Sequence, residues 1–498
     1  MPIRTSRRSF LAGGAAAAAA TLAPGVTSAA SAASRPKSIS TDVVVVGGGL
    51  AGLTTARKLV ADGHKVIVLE ARDRVGGRTL NHRIGGGHVA EAGGEFVGPT
   101  QDRIVALAKE VGVHTFAAYD TGNNIYVNGS TRLEYADTGP LGTAPPDPTL
   151  TADIIQLSQR IDQMATQVPV EKPWTATNAA EWDSQTLETW VRANSANANG
   201  IMAILAPFMQ ALIGAEARDP SLLFVLSYVA SAGNAKNPGT FERLFNVRGG
   251  AQQSRLVGGS QQVAIRVAKH LGARVHRNSP VRRITQSAHG VVVECDHLHV
   301  HAKRVVVAIP PPLAGAIDYF PLLPTARAQL TQRMPLGALM KVEAVYKTPF
   351  WRKAGLTGQF LTVGGPVGYS FDNSPPDGSI GVLAGFVGGE QNLKWGPKPA
   401  AKRRAAVLAQ YMRIFQDDRF GKPVEYFDHD WAQDRWSGGG PTAVLGSGTL
   451  LNYGHALREP VGRIHWAGTE TADYWQGYMD GAVRSGERAA AEVHARLH

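Results

Sequence analysis

The feature that most constrains this chain is the motif G-G-G-L-A-G at residues 47–52. It follows Thr41–Val46, an apolar run typical of a buried strand, and precedes Leu53–Asp62, a stretch typical of a helix. Glycines at Gly47, Gly49 and Gly52 let the turn close and bring backbone N–H groups toward a pyrophosphate at the positive helix N-terminus. The motif therefore predicts a dinucleotide site at a strand-to-helix turn.

A second apolar run follows at the distance that such a site requires. Lys65–Leu69 reads as another buried strand and leads into Glu70. A carboxylate about twenty residues after the glycines can bind the ribose hydroxyls of a dinucleotide. Because both strands, the helix and the acid are present, the sequence predicts a complete βαβ unit.

The segment after Glu70 adds a second glycine pair, Gly76-Gly77, followed by Arg78. Glycine permits close backbone approach, and an arginine beside it can lie near the phosphates. A nicotinamide enzyme has no evident need of this second loop. The loop resembles, however, the segment that follows the first βαβ unit in the amine-oxidase group of flavoproteins.

From this point the chain resembles the flavin-dependent monoamine oxidases, from about residue 40 to its C-terminus. The resembling motifs occur in the family's order and are Glu91–Gln101, Gly249–Gln252, Leu256–Ser260, Pro335–Lys341, Pro349–Lys353, Trp466–Thr471 and Gly477–Ala482. The resemblance implies an α/β fold (α+β mixed) in which a Rossmann-like FAD-binding domain is interleaved with a substrate domain of mixed sheet and helices. The expected FAD-binding segments are 40–117, 256–331 and 432–498, and the expected substrate-binding segments are 118–255 and 332–431.

The resemblance also implies which residues form the site. Lys341 is expected to reach flavin N5 through a water and to assist the reaction of reduced flavin with oxygen, with a pKa lowered by burial. Tyr478 is expected to face the flavin as one wall of an aromatic cage. Substrate contacts are expected from Tyr369, Gln252, Leu244, Trp436 and Tyr478. Cofactor contacts are expected from Gly47, Gly49, Gly52, Glu70, Arg72, Gly77, Arg78, Gly94, Glu95, Val281, Gly468, Glu470 and Met479.

One segment departs from the animal enzymes of that family. After Ser437-Gly438-Gly439 they carry a cysteine and then a tyrosine, whereas this chain has Gly440 and Pro441. The usual covalent thioether to the flavin is impossible at this position, so we expect FAD to be held non-covalently. The second cage tyrosine is missing too, and Trp436 or Trp475 is expected to complete the cage.

The chemistry that the resemblance implies is the oxidation of an amine, with the flavin as electron sink. A neutral amine places its α C–H against flavin N5, and two electrons and a proton leave as a hydride or its equivalent. The imine hydrolyses to an aldehyde or ketone plus ammonia or a smaller amine. Molecular oxygen then reoxidises the flavin and gives hydrogen peroxide.

Several other activities fit the same fold. An L-amino-acid oxidase needs an arginine clamp for the substrate carboxylate, which Arg243 or Arg248 could supply. A polyamine or diamine oxidase needs an acid at the far end of the pocket, for which Glu242 or Asp372 could serve. A desaturase-like use of the flavin, or a flavin-binding protein without oxidase turnover, also stays open. Lys341 and Tyr478 argue against the last of these.

Composition excludes some classes of protein. The 498 residues are too many for one ordinary core, and 44% hydrophobic with 18% charged residues describes a packed globular protein. The net charge of +11 is not gathered into a long basic run beyond the N-terminus, so we expect no nucleic-acid partner. The single cysteine, Cys295, excludes an intrachain disulfide. A homodimer is left open.

The N-terminus reads as a targeting signal. Ser6–Leu11 contains a twin-arginine pattern, an alanine-rich run extends to about Ala23, and Ala30-Ser31-Ala32 offers a small-residue cleavage site. We expect residues 1–33 to be a signal peptide for the twin-arginine export machinery, which carries folded proteins. The mature enzyme would then be periplasmic or secreted.

Three alternating histidines, His297, His299 and His301, would project from one face of a strand. Three imidazoles on one face could bind a metal. We interpret them instead as the water-facing side of a sheet, and no metal is expected.

Overall fold

The computed structural model describes residues 36–139 and 142–497, so the expected signal at residues 1–33 lies outside the described residues. The strands of the described part, in chain order, are β1 (Lys37–Ser40), β2 (Val43–Val46), β3 (Val66–Leu69), β4 (Asn81–Arg83), β5 (Val89–Glu91), β6 (Thr115–Ala117), β7 (Asn123–Asn128), β8 (Thr131–Tyr135), β9 (Ser254–Leu256), β10 (Val275–His276), β11 (Val281–Gln286), β12 (Val291–Cys295), β13 (Leu298–Ala302), β14 (Arg304–Val307), β15 (Asp318–Phe320), β16 (Leu339–Tyr346), β17 (Leu356–Val363), β18 (Tyr369–Asp372), β19 (Gly381–Gly388), β20 (Glu425–Asp430) and β21 (Ile464–Trp466).

The α-helices of the same part are α1 (Leu50–Ala61), α2 (Asp102–Glu110), α3 (Thr151–Ala165), α4 (Ala179–Asp183), α5 (Leu187–Asn194), α6 (Ala198–Ile213), α7 (Leu222–Ser231), α8 (Gln261–Leu271), α9 (Pro311–Gly315), α10 (Thr325–Gln332), α11 (Glu390–Trp395), α12 (Ala400–Phe415), α13 (Thr449–Tyr453) and α14 (Met479–His494). Short 3₁₀ helices cover Gly85–Gly87, Pro173–Thr175, Glu242–Leu244, Gly272–Arg274, Phe350–Ala354, Asp418–Gly421, Trp431–Gln433, Gly454–Leu457 and Thr469–Thr471.

A five-stranded parallel sheet holds the glycine motif. Its strand order is β10-β3-β2-β14-β21, and every neighbouring pair is parallel. Parallel strands are covered on both faces, which is why β2 is an unbroken run of buried valines. Val43 and Val45 pack toward α1, α8 and α14, whereas Val44 and Val46 pack toward a second five-stranded sheet, β1-β13-β12-β11-β15.

A seven-stranded sheet forms the other large layer, in the order β20-β16-β19-β18-β17-β7-β8. It is antiparallel except where β17 runs parallel to β7. Strand β16 is buried along its whole length, and its Met340 and Val342 pack with α12. Lys341 and Glu343 therefore project from the opposite face of β16, since side chains alternate along a strand. Helices α3 to α7 form a separate apolar cluster next to this sheet.

The predicted fold class is confirmed in its main parts. The βαβ unit forms as expected from β2, α1 and β3. In β13, Leu298 and Val300 are buried, whereas His299 is partly exposed and His301 is exposed, so these histidines face outward as interpreted. The chain from Pro36 onward clusters as one unit, and the boundaries between the expected segments stay a prediction. None of the described helices is long and apolar enough to span a bilayer.

Candidate active site

The glycine motif forms a tight turn that leaves room for a ligand next to its backbone. Gly47 has a φ of +107°, and a Cβ on it would lie 2.7 Å from the carbonyl oxygen of Ala308. A Cβ on Gly52 would overlap the carbonyl oxygen of Gly47, so Gly52 closes the turn and does not line the cavity. Gly49, by contrast, lines the cavity, and its nearest neighbour to a Cβ is 3.8 Å away. The turn therefore fits a ligand that approaches the backbone at the start of α1.

Glu70 stands at the predicted position at the end of β3. It is 4% exposed, its Oε2 accepts a hydrogen bond from Gly48 N at 2.7 Å, and its Oε1 accepts one from Arg72 N at 2.8 Å. The Arg72 guanidinium lies 2.6 Å from Asp434 and 2.8 Å from Ser437 Oγ. These contacts hold the carboxylate beside the glycine turn, where a ribose would lie.

The second loop is fixed by an ion pair between the partly buried Arg78 and the buried Glu470. Arg78 donates to both carboxylate oxygens of Glu470, at 2.6 and 3.1 Å, and to the carbonyl oxygen of Pro441 at 2.7 Å. Arg78 and Gly77 line the cavity, whereas Glu470 does not. The expected direct contact of Glu470 with the cofactor is therefore not supported, because its carboxylate is occupied in orienting Arg78.

One cavity of about 400 Å³ joins these loops to an aromatic compartment. The remaining predicted cofactor residues Gly94, Glu95, Val281, Gly468 and Met479 line it, as do Lys341 and the predicted substrate residues Leu244, Gln252, Tyr369 and Tyr478. The aromatic compartment is walled by Phe208, Leu212, Tyr228, Leu244, Phe245, Tyr369, Phe371, Phe386 and Tyr478. The volume lies within the range of ligand pockets in proteins, roughly 300–1,000 Å³.

Comparison with known proteins agrees with this geometry. The family model for flavin-containing amine oxidoreductases matches residues 50–494. This chain belongs to that family. A Mycobacterium tuberculosis protein named as a flavin-containing monoamine oxidase is 44% identical over 463 residues, covering 92% of this chain and 97% of its own. Amine oxidase B of Rattus norvegicus is 38% identical over 458 residues, covering 91% of this chain and 86% of its own.

Solved structures give the same result. Putrescine oxidase bound to putrescine superimposes with a TM-score of 0.86 at 34% identity, covering 92% of this chain and 100% of that one. Cyclohexylamine oxidase from Brevibacterium oxydans superimposes with a TM-score of 0.85 at 32% identity, covering 92% of this chain and 99% of that one. The predicted family, the Rossmann-like FAD-binding fold and FAD-dependent amine oxidation are thus confirmed.

FAD fits the cavity without a covalent bond. The glycine turn and Glu70 suit the pyrophosphate and a ribose, and the compartment near Lys341 leads from there to the aromatic walls. Gly440 and Pro441 line the cavity where the animal enzymes carry the cysteine and tyrosine. Cys295, the single cysteine of the chain, is buried in β12, contacts Ser279 O and does not line the cavity. No thiol is available to form a thioether with the flavin.

Acid precipitation of the purified holoenzyme is therefore expected to leave the flavin in solution. Denaturation removes every contact that holds a non-covalent cofactor, so the pellet should be colourless and the supernatant should contain about one FAD per chain. Absorbance and mass spectrometry of both fractions measure this. A yellow pellet, or a chain mass increased by the mass of a flavin, would contradict the expectation that FAD is bound non-covalently.

Lys341 lies in a group of buried charges next to the cavity. Its Nζ is 2.8 Å from Glu95 Oε1 and 3.3 Å from Glu343 Oε1, and it donates to the carbonyl oxygen of Glu91 at 2.5 Å. The Lys341 side chain is 2% exposed. The expectation that burial lowers the pKa of Lys341 is wrong: burial acts in that direction, but the carboxylates of Glu95, Glu343 and Glu91 outweigh it and raise the pKa. Lys341 is therefore a charged ammonium in this site.

Tyr478 lies at the start of α14 and faces the aromatic compartment. Its ring centroid is 6.0 Å from that of Tyr228, and its hydroxyl donates to Leu244 O at 3.3 Å. Burial raises the pKa of Tyr478 well above its usual value, so the phenol stays neutral. The Gln252 amide nitrogen donates to the same carbonyl of Leu244 at 3.1 Å. Tyr228, which the sequence prediction missed, thus supplies a second tyrosine at this end of the cavity.

The two tryptophans expected to complete the cage lie elsewhere. Trp436 lines the cavity, but the Arg282 guanidinium lies 5.8 Å from the centroid of its ring. Its backbone N–H donates to Asp434, the partner of Arg72. This position is at the end of the cavity that Glu70 lines, away from the aromatic compartment. The structure therefore does not support the predicted contact of Trp436 with the substrate. Trp475 is fully buried behind Tyr478, at 4.9 Å between ring centroids, and does not line the cavity.

Sequence reasoning also missed three residues that surround Lys341. Glu343 lies two positions along the same strand, and Glu91 and Arg255 form an ion pair at 2.5 Å. Period-two spacing places Glu343 beside Lys341 on one strand face and could have identified it. No local sequence pattern predicts that Arg255 lies near Lys341, because β9 lies far from β5 and β16 in the chain.

Proposed function

We propose that this protein oxidises primary monoamines that carry an apolar aromatic or alicyclic group, with molecular oxygen as electron acceptor. The products are an imine, hydrolysed to the aldehyde or ketone and ammonia, and hydrogen peroxide. The observation that carries the proposal is the aromatic compartment, whose walls are phenylalanine, leucine and tyrosine side chains. Such walls bind an apolar group and keep water from the reacting carbon.

The second ammonium of a diamine has no evident counterion in the aromatic compartment of the cavity. Asp372 does not line the cavity, and its carboxylate is bound by Arg352 at 2.7 and 3.0 Å and by Trp351 at 2.8 Å. Glu242 does not line the cavity either. Among the described residues that line it, the acids are Glu70 and Glu95, which are held by Gly48 and Lys341. A second ammonium would therefore lose its hydration without gaining a partner.

An amino acid has no clamp for its carboxylate. Arg243 donates to the carbonyl oxygens of Ala232 and Pro238, and Arg248 pairs with Asp120 at 3.0 Å. Neither arginine lines the cavity. The described arginines that do line it are Arg72, Arg78 and Arg282, of which Arg72 and Arg78 belong to the FAD loops. These contacts favour amines over L-amino acids.

The residues of the chain have separate tasks in this proposal. Bound FAD accepts the electrons that leave the amine. Tyr478 and Tyr228 confine the substrate, so that the α carbon is held in a reactive orientation. Lys341, held as an ammonium, supplies a positive charge and a proton donor at the wall next to the flavin. No side chain is needed as a base if the amine enters unprotonated.

Export through the twin-arginine pathway and a periplasmic or secreted location are also part of the proposal. The pattern Ser6–Leu11 and the small residues Ala30-Ser31-Ala32 support it. A folded, FAD-loaded enzyme is a suitable cargo for this pathway. Fractionation of the native host, with Arg7→Lys and Arg8→Lys together as the control, tests the location. A homodimer stays a prediction that a mass measurement in solution tests.

Matched pairs of substrates test the substrate class. Phenethylamine and L-phenylalanine differ by a carboxylate, and butylamine and putrescine differ by a second ammonium. We expect phenethylamine to bleach the flavin anaerobically at least about tenfold faster than L-phenylalanine, and butylamine faster than putrescine, because each added charge is buried unpaired. Readmitted air should restore the yellow colour and release one peroxide per amine oxidised.

The opposite preferences identify the alternatives. Faster bleaching by putrescine would favour a diamine oxidase, as in the putrescine oxidase that shares this fold. Faster bleaching by L-phenylalanine would favour an amino-acid oxidase. Bleaching without reoxidation by air would retain amine oxidation and overturn oxygen as the acceptor.

A further inference from the structure

Five buried charged residues next to the cavity form a group that we call the charge cluster: Glu91, Glu95, Arg255, Lys341 and Glu343. Their side chains are between 0% and 4% exposed. They come from four parts of the chain, namely the end of β5, the loop after it, β9 and β16. Lys341 and Glu95 line the cavity, and Glu343 lies behind Lys341.

The charges in this cluster do not balance if every group is ionised. Three carboxylates face two cations, which leaves one surplus negative charge in a site without solvent. Tyr411, from α12 on the other side of the sheet, also acts on Glu343 electrostatically, but its pKa is raised well above its usual value and it is neutral. An unpaired buried charge costs several kcal/mol, and a buried acid avoids that cost by keeping a proton.

Hydrogen bonding indicates which acid keeps the proton. Asn373 Nδ2 donates to Glu343 Oε1 at 3.0 Å. The other oxygens of this pair, Asn373 Oδ1 and Glu343 Oε2, are both buried and both lack a hydrogen-bond partner. Glu91 Oε1 and both oxygens of Glu95 also lack one, but these two carboxylates face the cations Arg255 and Lys341. Two acceptors cannot bond to each other, whereas a carboxylic acid has one O–H donor and can pair with an amide through both of its oxygens. A single proton on Glu343 would therefore supply the missing donor.

Glu95 is the better place for a negative charge. It is closer to the Lys341 ammonium, at 2.8 Å against 3.3 Å for Glu343, and Arg255 Nε lies 3.9 Å from its second oxygen. Glu91 is paired with Arg255 at 2.5 Å. Glu343 has one cation near it and a neutral amide on its other side.

We propose that Glu343 carries the surplus proton of the charge cluster and that this neutral acid positions Lys341, so that the cluster beside the flavin has no net charge. Burial raises the pKa of Glu343 to about 8, which agrees with a protonated acid at neutral pH. In this state Glu343 Oε1 lies 3.3 Å from the Lys341 ammonium without adding a second negative charge. When pH rises past this pKa, one negative charge appears next to the flavin, and reduction of the flavin becomes less favourable.

Infrared spectroscopy of the FAD-loaded protein tests where the proton lies. We expect a carboxylic-acid C=O stretching band at pH 7 that shifts in D₂O and fades as pH rises through about 8. The band should be absent from Glu343→Gln. Glu216→Gln, which removes a buried glutamate outside the cluster, serves as the matched control and should retain the band. Burial also raises the pKa of Asp120 to about 7, so the band of Glu343 is read from the difference spectrum of wild type minus Glu343→Gln. No band in that difference spectrum at pH 7 would overturn the proposal.

Thermal unfolding gives a second readout that does not depend on any substrate. Glutamine imitates the neutral acid and can donate to Asn373 Oδ1, so Glu343→Gln should fold and bind FAD. Between about pH 4.5 and 8 the unfolded wild type has lost this proton while the folded protein retains it, so wild-type stability falls with pH. The unfolding temperature of Glu343→Gln should therefore rise relative to wild type across this window. A difference in unfolding temperature that stays constant across this window would show that Glu343 is ionised in the folded protein and would overturn the proposal.

The flavin midpoint potential completes the test. Wild type and Glu343→Gln should have the same flavin midpoint potential at pH 7. Above pH 8 the potential of the wild type should be lower than that of the variant. Equal potentials at every pH would overturn the electrostatic link to the flavin. Because these measurements use no amine, they are independent of the proposed substrate class.

Discussion

Replacing Lys341 with methionine is expected to lower the free energy of unfolding by about 3–5 kcal/mol, the usual cost of removing one partner of a buried ion pair. Methionine leaves the Glu95 carboxylate, which is 2% exposed, without the ammonium 2.8 Å from it. Arg255 Nε, at 3.9 Å, is already shared with the pair to Glu91. Chemical denaturation of the wild type and the variant, both with FAD removed, measures the difference.

The double variant Lys341→Met with Glu95→Gln is the control for this result. Its remaining cluster contains Arg255 and Glu91 as a pair and the neutral Glu343, so most of the lost stability should return. The double variant still lacks the ammonium. We expect anaerobic reduction by an amine to persist, and reoxidation by air to slow by roughly a hundredfold, the scale of one positioned proton donor. Wild-type stability in the Lys341→Met single variant would contradict the buried pairing.

Replacing Gly49 with alanine is expected to weaken FAD binding by about tenfold to a hundredfold while the chain still folds. The Cβ on Gly49 would have its nearest neighbour at 3.8 Å, in ordinary contact, so the folded chain tolerates it. It would project into the cavity next to the start of α1, where a backbone N–H approaches the pyrophosphate. Losing one hydrogen bond to a charged group costs about 1.5–3 kcal/mol. Fluorescence titration of the FAD-free protein with FAD measures the affinity.

Gly52 provides the contrast, because alanine there would overlap the carbonyl oxygen of Gly47 within the turn. Gly52→Ala should therefore lose stability as well as FAD affinity. Gly85→Ala is the neutral control, since nothing lies within 4 Å of a Cβ at that position and Gly85 does not have a positive φ. If Gly49→Ala and Gly52→Ala lose stability equally, then it is wrong to assign Gly49 to ligand binding and Gly52 to closing the turn.

Local sequence determined the parts of this fold that depend on neighbouring residues. The first strand, the glycine turn, the helix after it and Glu70 follow from apolar periodicity and from the backbone freedom of glycine, and all of them form. The bounds differ slightly, because the strand covers Val43–Val46 instead of Thr41–Val46 and the helix covers Leu50–Ala61 instead of Leu53–Asp62. The motif order from Glu91–Gln101 to Gly477–Ala482 was enough to identify the family. These signals are short-range, and a single sequence contains them in full.

Tertiary structure decided what surrounds each site residue. Trp436 lies at the Glu70 end and Glu470 is occupied by Arg78, although both sit in motifs that point to the site. The apolar sequence around Lys341 predicts burial, and burial alone lowers a lysine pKa. The carboxylates that reverse this effect include Glu91 and Glu95, some 250 residues earlier in the chain. A pKa depends on the sum of charges within a few ångströms, and only the folded chain determines which charges those are.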